Sequence, residues 1–241
     1  MRHPERWTPT KFVNRRGRWQ GSRDTRELAL ASRLAGDLVA AAYAKHLPAH
    51  AAGRLLDLGC GKAPLHGMVR PHVRDSICAD WPGSHHGSEH VDVFLDLNRP
   101  LPFRDGCFRT VLLSDVLEHI YQPWPLWLEI NRVLEAGGKL IANMPFIYWI
   151  HETPHDYYRF TEHALARMAD DAGFSVIVLE PLGGPAAVAA DLLAKQLAPL
   201  RWIGRYLAQA VQSIAPRRAG RGAVMTLGYF VVAEKAGAAR A

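Results

Sequence analysis

Leu55-Leu56-Asp57-Leu58-Gly59-Cys60-Gly61-Lys62-Ala63-Pro64 decides the fold of this chain. An apolar run passes without interruption into a turn carrying two glycines. Glycine reaches positive φ and lets a ligand approach bare backbone. Where such a turn feeds a helix, the free N–H groups of the first turn favour an anionic group. Asp57, at the end of the run, is placed to face a cationic amino group. Alone, the pattern also fits a tight strand-to-helix turn that binds nothing.

Working outward, apolar segments and helical patterns alternate. Strands are expected at Arg54–Leu58, Ser76–Ala79, Val91–Leu95, Thr110–Leu113, Lys139–Met144, Phe174–Leu179 and Ala223–Val232. Pro123–Leu134 reads as a helix with proline at its start and Gly137-Gly138 at its stop. Thr161 caps another helix, which ends at Gly173. Strands separated by helices predict βαβ units and a mainly parallel sheet.

The flanks read differently. Met1–Gly21 has no period and is expected to be an arm or loop. Asp24 and Glu27 are spaced like a helix cap and its reciprocal partner. Leu28, Ala31, Leu34, Ala35, Leu38 and Val39 then share one helical face, and Pro48 ends it. Residues 1–52 are therefore expected to form a basic arm and helix, and 53–241 the main domain. An Ala- and Leu-rich helical insertion is expected at roughly 183–222.

The chain has 241 residues, enough for one sizeable α/β domain. Hydrophobic residues make up 49% and charged residues 22%, so a core can be buried. The net charge of +6 is mostly arginine and suits anionic partners without specifying a fold. Three cysteines, Cys60, Cys78 and Cys107, form no C-x-x-C pair, which argues against a disulfide framework and for a cytoplasmic setting. The N-terminus lacks the apolar core of a signal peptide, and no uncharged apolar run is long enough to span a bilayer.

Asp80 ends the second strand about 20 residues after the glycine turn, where a ribose-binding acid is expected. Trp81 offers an aromatic face for a purine. Asp96-Leu97-Asn98 supplies short polar groups that can accept from an adenine amino group. Asp57-Leu58-Gly59-Cys60-Gly61 resembles the first motif of class I methyltransferases. Leu101-Pro102-Phe103-Arg104-Asp105-Gly106-Cys107-Phe108, Asp115-Val116-Leu117-Glu118-His119-Ile120 and Arg132-Val133-Leu134-Glu135-Ala136-Gly137-Gly138-Lys139-Leu140 resemble later motifs of one widespread branch. They follow in order from about Gly53 to Phe174. Two positions depart from the pattern: Ala63 replaces the third glycine, and Arg109 stands where an acidic residue is usual.

That resemblance implies a Rossmann-like, doubly wound fold: a mainly parallel seven-stranded sheet with an antiparallel last hairpin, plus the N-terminal helical arm. It also implies S-adenosyl-L-methionine as cofactor, held by Asp57, Gly59, Cys60, Gly61, Asp80, Trp81, Asp96, Leu97 and Ser114. A nicotinamide is disfavoured because Pro64 occupies the third glycine position of that fingerprint.

In open α/β sheets chemistry sits beyond the carboxyl ends of the strands. His151-Glu152-Thr153-Pro154-His155 lies there and spells H-E-x-x-H. The zinc form of that motif needs a helix, and Pro154 biases Thr153 away from helical angles; no metal is expected. His151 or His155 is the candidate general base, because imidazole titrates near neutrality. Tyr157, Tyr158 and Arg159 are candidates for binding the acceptor. Glu118 and His119 recur in members of the resembling branch with different acceptors, which implies a cofactor-side or structural role.

A small-molecule or glycan-type acceptor is expected. Arg2, Arg6, Lys11, Arg15, Arg16, Arg18, Arg23 and Arg26, with Trp7 and Trp19 among them, keep RNA as an alternative substrate. Against RNA, neither an Asn-Pro-Pro-Tyr-like motif nor a Pro-Cys nucleophile is present. A non-catalytic S-adenosylmethionine-binding module is a further alternative. Leu192, Leu193, Leu197, Leu200, Ile203, Tyr206 and Leu207 among basic residues suit a lid, a homodimer contact or a membrane surface.

Overall fold

The computed structural model describes residues 1–84, 86–215 and 225–237. The expected arm contains a hairpin, β1 (Phe12–Arg15) with β2 (Arg18–Gly21). Its two turn residues, Arg16 and Gly17, have φ of 52° and 79°, the double positive φ that joins twisted strands tightly. Asn14 Oδ1 accepts from the Gly17 N–H at 3.0 Å and closes the turn. Residue-by-residue periodicity missed this hairpin because its strands are only four residues long.

Helix α1 spans Arg33–His50, starting later than expected. The Asp24 carboxylate accepts from Arg26, and Glu27 pairs with Lys62 at 3.1 Å, so neither caps the helix. Pro48 sits inside the last turn of α1 rather than ending it.

The main sheet follows: β3 (Arg54–Leu58), the short α2 (His66–Val69), β4 (Asp75–Asp80), β5 (Val93–Phe94), β6 (Phe108–Ser114), α3 (Pro123–Val133), β7 (Leu134–Pro145), α4 (Glu162–Asp171), β8 (Phe174–Leu182), α5 (Pro185–Leu197), α6 (Arg201–Ile214) and β9 (Gly228–Lys235). The strand order is β5-β4-β3-β6-β7-β9-β8. Pairs from β5 to β7 are parallel, and β9 runs antiparallel to both β7 and β8. This is the Rossmann-like seven-stranded sheet expected, with its antiparallel last hairpin.

Three boundaries move. β5 is two residues long. β7 runs through Gly137-Gly138, because Phe108 pairs with Leu134 while Thr110 pairs with Lys139; the surplus residues loop out at Gly137, whose φ is 70°. β9 begins at Gly228; residues 223 and 224 of the expected strand lie outside the described residues.

Alternation along each strand fills two apolar layers. Leu56 and Leu58 pack on one face with Trp127 and Ile130. Leu55, Leu112 and Ile141 face the other way, against Tyr43, Leu47 and Phe230. Each such fully buried leucine or isoleucine contributes about 1.5–3 kcal/mol. Within the stretch 183–222, of which 216–222 lie outside the described residues, α5 and α6 pack on Leu30 through Ala194 and Ala208. Their outer side leaves Leu193, Ile203, Tyr206 and Leu207 exposed. Among the described residues no helix is long and apolar enough to cross a membrane.

From β3 the chain winds outward to β4 and β5, then returns across to β6 on the other side of β3. Strand order reverses there, and a crevice opens beyond the carboxyl ends of β3 and β6.

Candidate functional site

Two adjoining cavities occupy that crevice, of about 500 and about 290 Å³. Both are walled by Gly59, His86, Asp115, His119 and Glu152. The turn after β3 explains why they can meet. Gly59 has φ of 70°, and a Cβ there would come within 2.5 Å of Val116 Cγ2. Only glycine fits this crossing of the β3 and β6 turns.

The smaller cavity is lined by Asp80, Trp81, Asp96, Leu97, Asn98, Val116 and Tyr157, among others. Asp80 is buried at the end of β4. Its Oδ2 accepts from the Gly61 N–H at 2.8 Å and its Oδ1 from the Trp81 N–H at 2.8 Å. The carboxylate thus pins the glycine turn, and each oxygen keeps a lone pair for a further donor. Asp96 accepts from the Asn98 backbone N–H at 2.9 Å, which with its side-chain amide holds the Asp96 carboxyl below the usual range. Asp57 is buried beneath the turn and lines neither cavity. Burial and the neighbouring Asp80 push its carboxyl up to about 7.

Cys60, Gly61 and Ser114 line the larger cavity. Ser114 Oγ donates to Asn143 Oδ1 at 2.8 Å, and Tyr43 Oη donates to the same oxygen at 2.9 Å. Asn143 Nδ2 donates to Asp115 Oδ1 at 2.5 Å, while Lys11 Nζ reaches Asp115 Oδ2 at 2.6 Å. Asp115 itself is held at a φ of 51°. Neither Lys11 nor Asn143 was singled out as a site residue. Asn143 lies in an apolar strand, and 104 residues separate Lys11 from Asp115, so no local spacing connects them.

The segment after β7 forms a turn over residues 151–155 rather than the helix of an H-E-x-x-H zinc site. Glu152, at φ 53°, points to His86 at 2.6 Å. That hydrogen bond draws the Glu152 carboxyl down to about 2. His151 faces the larger cavity, with its Nε2 3.7 Å from Glu118 Oε1. His155 lies on the smaller cavity instead, edge-on to Trp81 and with Nδ1 3.0 Å from Tyr157 Oη.

The three acceptor candidates separate. Tyr157 lines the smaller cavity beside Trp81 and His155. Tyr158 and Arg159 line neither cavity. Tyr158 Oη donates to Tyr121 O at 3.1 Å, and its ring stacks on Phe160. Arg159 makes a two-pronged pair with Asp156, at 2.6 and 2.8 Å, and also donates to Tyr148 O and Trp149 O. A guanidinium so fully engaged braces the loop.

A mainly parallel sheet whose order reverses at a glycine turn, with an acid at the end of the neighbouring strand, is the architecture of Rossmann-like nucleotide-binding folds. Residues 56–142 match the family described as a methyltransferase domain. Malonyl-(acyl-carrier protein) O-methyltransferase of Herminiimonas arsenicoxydans is 30% identical over 131 residues, covering 52% of this chain and 50% of that protein. An uncharacterized methyltransferase of Mycobacterium avium (strain 104) is 31% identical over 118 residues, covering 42% of this chain and 46% of that protein. The chain thus spans about half the length of the curated relatives it matches. Among solved structures, an S-adenosylmethionine dependent methyltransferase from Mesorhizobium loti superposes with a TM-score of 0.57 at 13% identity, over 84% of this chain and 100% of that one. The (4+2)-cyclase SpnF superposes with a TM-score of 0.58 at 18% identity, over 86% and 84%. At such identities the likeness is one of fold.

Proposed function

We propose that the chain transfers a methyl group from S-adenosylmethionine to an oxygen of a small-molecule or glycan-type acceptor. One observation carries this reading: a nucleoside-sized cavity edged by Asp80, Trp81 and Asp96 opens directly onto a larger cavity edged by Glu118, His119 and His151. Asp80 is placed to accept from ribose hydroxyls, Trp81 to cover the purine, and the Asp96–Leu97 turn to meet its edge. The bound cofactor supplies a methyl group on a sulfonium leaving group. In the proposed transfer the acceptor oxygen would bond to the methyl carbon as the carbon–sulfur bond breaks, and the acceptor proton would pass to His151 on the wall of the larger cavity. Alignment and proton removal are then what remains for the protein to supply. The Herminiimonas relative is named an O-methyltransferase, in keeping with an oxygen acceptor.

RNA is less favoured because three basic side chains of the N-terminal segment are engaged internally. Lys11 binds Asp115, Arg23 binds Asp37 and Arg26 binds Asp24. Trp7 Nε1 donates to Ala63 O, and the Trp7 and Trp19 rings both lie against Gly67, so part of each ring is covered by the protein. Because a cyclase shares the fold, catalysis needs its own test. Calorimetry with S-adenosylmethionine and its demethylated product should show binding of both. Labelled cofactor should then mark components of a metabolite or glycan extract and not total RNA. A folded sample binding neither ligand overturns the cofactor reading; site-specific RNA labelling overturns the acceptor reading. Binding without any labelled product would leave the cofactor-binding module standing.

A further inference from the structure

Glu118, His119 and His151 meet on the wall of the larger cavity, and their donor atoms all lie within 4.8 Å of one another. Glu118 is 0% exposed, yet neither of its carboxylate oxygens has a hydrogen-bond partner. A buried carboxylate left without partners is costly unless something compensates its charge. Both imidazoles turn the same atom towards it: His151 Nε2 is 3.7 Å and His119 Nε2 is 3.8 Å from Glu118 Oε1.

The far side of each ring is already committed. His119 Nδ1 donates to His155 O at 2.6 Å. His151 Nδ1 lies 3.3 Å from both Asp156 Oδ2 and Trp149 O. Asp156 is in turn fixed by Arg159 and by the His151 backbone N–H. Oxygen acceptors at Nδ1 place the proton there and leave the Nε2 lone pair free. Rings oriented by a carboxylate or a carbonyl on one nitrogen are how proteins present the other nitrogen to a metal.

We infer that Glu118, His119 and His151 form a binding site for one divalent transition-metal ion, open on the cavity side to an oxygen of the acceptor. Two imidazoles and one carboxylate are the ligand set of metal sites that keep coordination positions for substrate. Ligands about 2.0–2.2 Å from a tetrahedral ion stand roughly 3.4 Å apart, so the observed separations need only small side-chain rotations to close. The cluster lies where the two cavities meet, since His119 walls both. A metal-bound hydroxyl loses its proton more readily, so with both Nε2 lone pairs on the ion the acceptor's proton would leave to solvent through the open cavity rather than to His151; that part rests on the proposed function. The H-E-x-x-H spelling contributes only its first histidine. The other two ligands come from the turn after β6, and local spacing could not reveal the set.

The test uses the full chain, without an affinity tag and stripped of metal, in the absence of cofactor and acceptor. Cobalt(II) titration, read by visible absorption, and zinc titration, read by calorimetry, should show one ion per chain. Glu118→Gln and His151→Asn should each weaken binding at least 100-fold, while His163→Asn, at an exposed site on α4, should not. No ion bound by folded protein, or unchanged affinity in both cluster variants, overturns the site. Should those variants not fold, X-ray absorption on the zinc-loaded wild type decides: two imidazole nitrogens with oxygen support the site, whereas sulfur or oxygen-only ligation overturns it. Ion binding without any methyl transfer would reject the proposed function and leave the site intact. Methyl transfer by a protein that binds no ion would do the reverse.

Discussion

Lys11 Nζ lies 2.6 Å from Asp115 Oδ2, tying the segment just before the hairpin to the end of a central strand. Burial works against the Lys11 ammonium, and Asp115 more than offsets it, so the lysine pKa stands above its ordinary value. The segment thus forms one side of the larger cavity. Lys11→Ala leaves Asp115 with Asn143 as its remaining side-chain partner. The expected loss is about 1–3 kcal/mol, which thermal unfolding should show as a fall of roughly 2–4 °C per kcal/mol for a chain of this size. Unchanged unfolding and kinetics would mean the contact contributes nothing in solution.

Asp80 has two duties, holding the Gly61 N–H and facing the smaller cavity. Asp80→Ala removes both. Affinity for S-adenosylmethionine should fall by on the order of 1–3 kcal/mol, about 5- to 150-fold. Calorimetry at equal folded concentration checks this, and wild-type affinity in the variant would remove Asp80 from the cofactor site.

Asp57 lines neither cavity, so on the proposed function it would act on a bound cofactor through its charge and set the pH dependence of binding. With its carboxyl raised to about 7 by burial and by Asp80, it is largely protonated below that pH in the free protein. A cationic ammonium brought nearby favours the ionised form, so binding releases a proton. Affinity should therefore weaken as pH falls from about 7 to 5.5, by up to roughly tenfold per unit. In Asp57→Asn the slope should vanish; a flat wild-type profile contradicts the role. The sign for stability is the opposite. The folded state holds this proton more tightly than the unfolded chain, so the contribution is present below about pH 4 and is lost as pH rises through about 7.

The two histidines of the turn should behave differently. His151 lies on the larger cavity with Glu118, and His155 beside Trp81 on the smaller one. His151→Asn should lower turnover by roughly 10²–10⁴-fold with cofactor affinity little changed. His155→Asn should act mainly on the KM for cofactor. The reverse assignment of kcat and KM effects would exchange the roles of the residues.

Much of the fold is written locally. The alternation of apolar runs and helices shows the order of elements, and the glycine turn with Asp80 shows where the sheet reverses. β1 and β2 were hidden because their strands are short and their sequence polar. Glu118, His119 and His151 share no spacing that announces them as a group; chain reversal after β7 brings His151 back to the turn after β6. Arg159 shows the opposite difficulty. Its charge and position suggested the acceptor, and only the hydrogen bonds show that Asp156 and three carbonyls already occupy it.

The paired cavities share one wall but differ in their other lining residues. Trp81 and Tyr157, each 42% exposed, edge the smaller one, while Arg26 and Lys62 edge the larger. On the proposed function, spent cofactor would leave past Trp81 and Tyr157 without displacing whatever occupies the neighbouring space. An acceptor carrying several equivalent hydroxyls could stay in place while the donor is replenished. Partially modified intermediates would then be scarce during turnover, and the product distribution, rather than the rate, would record the geometry.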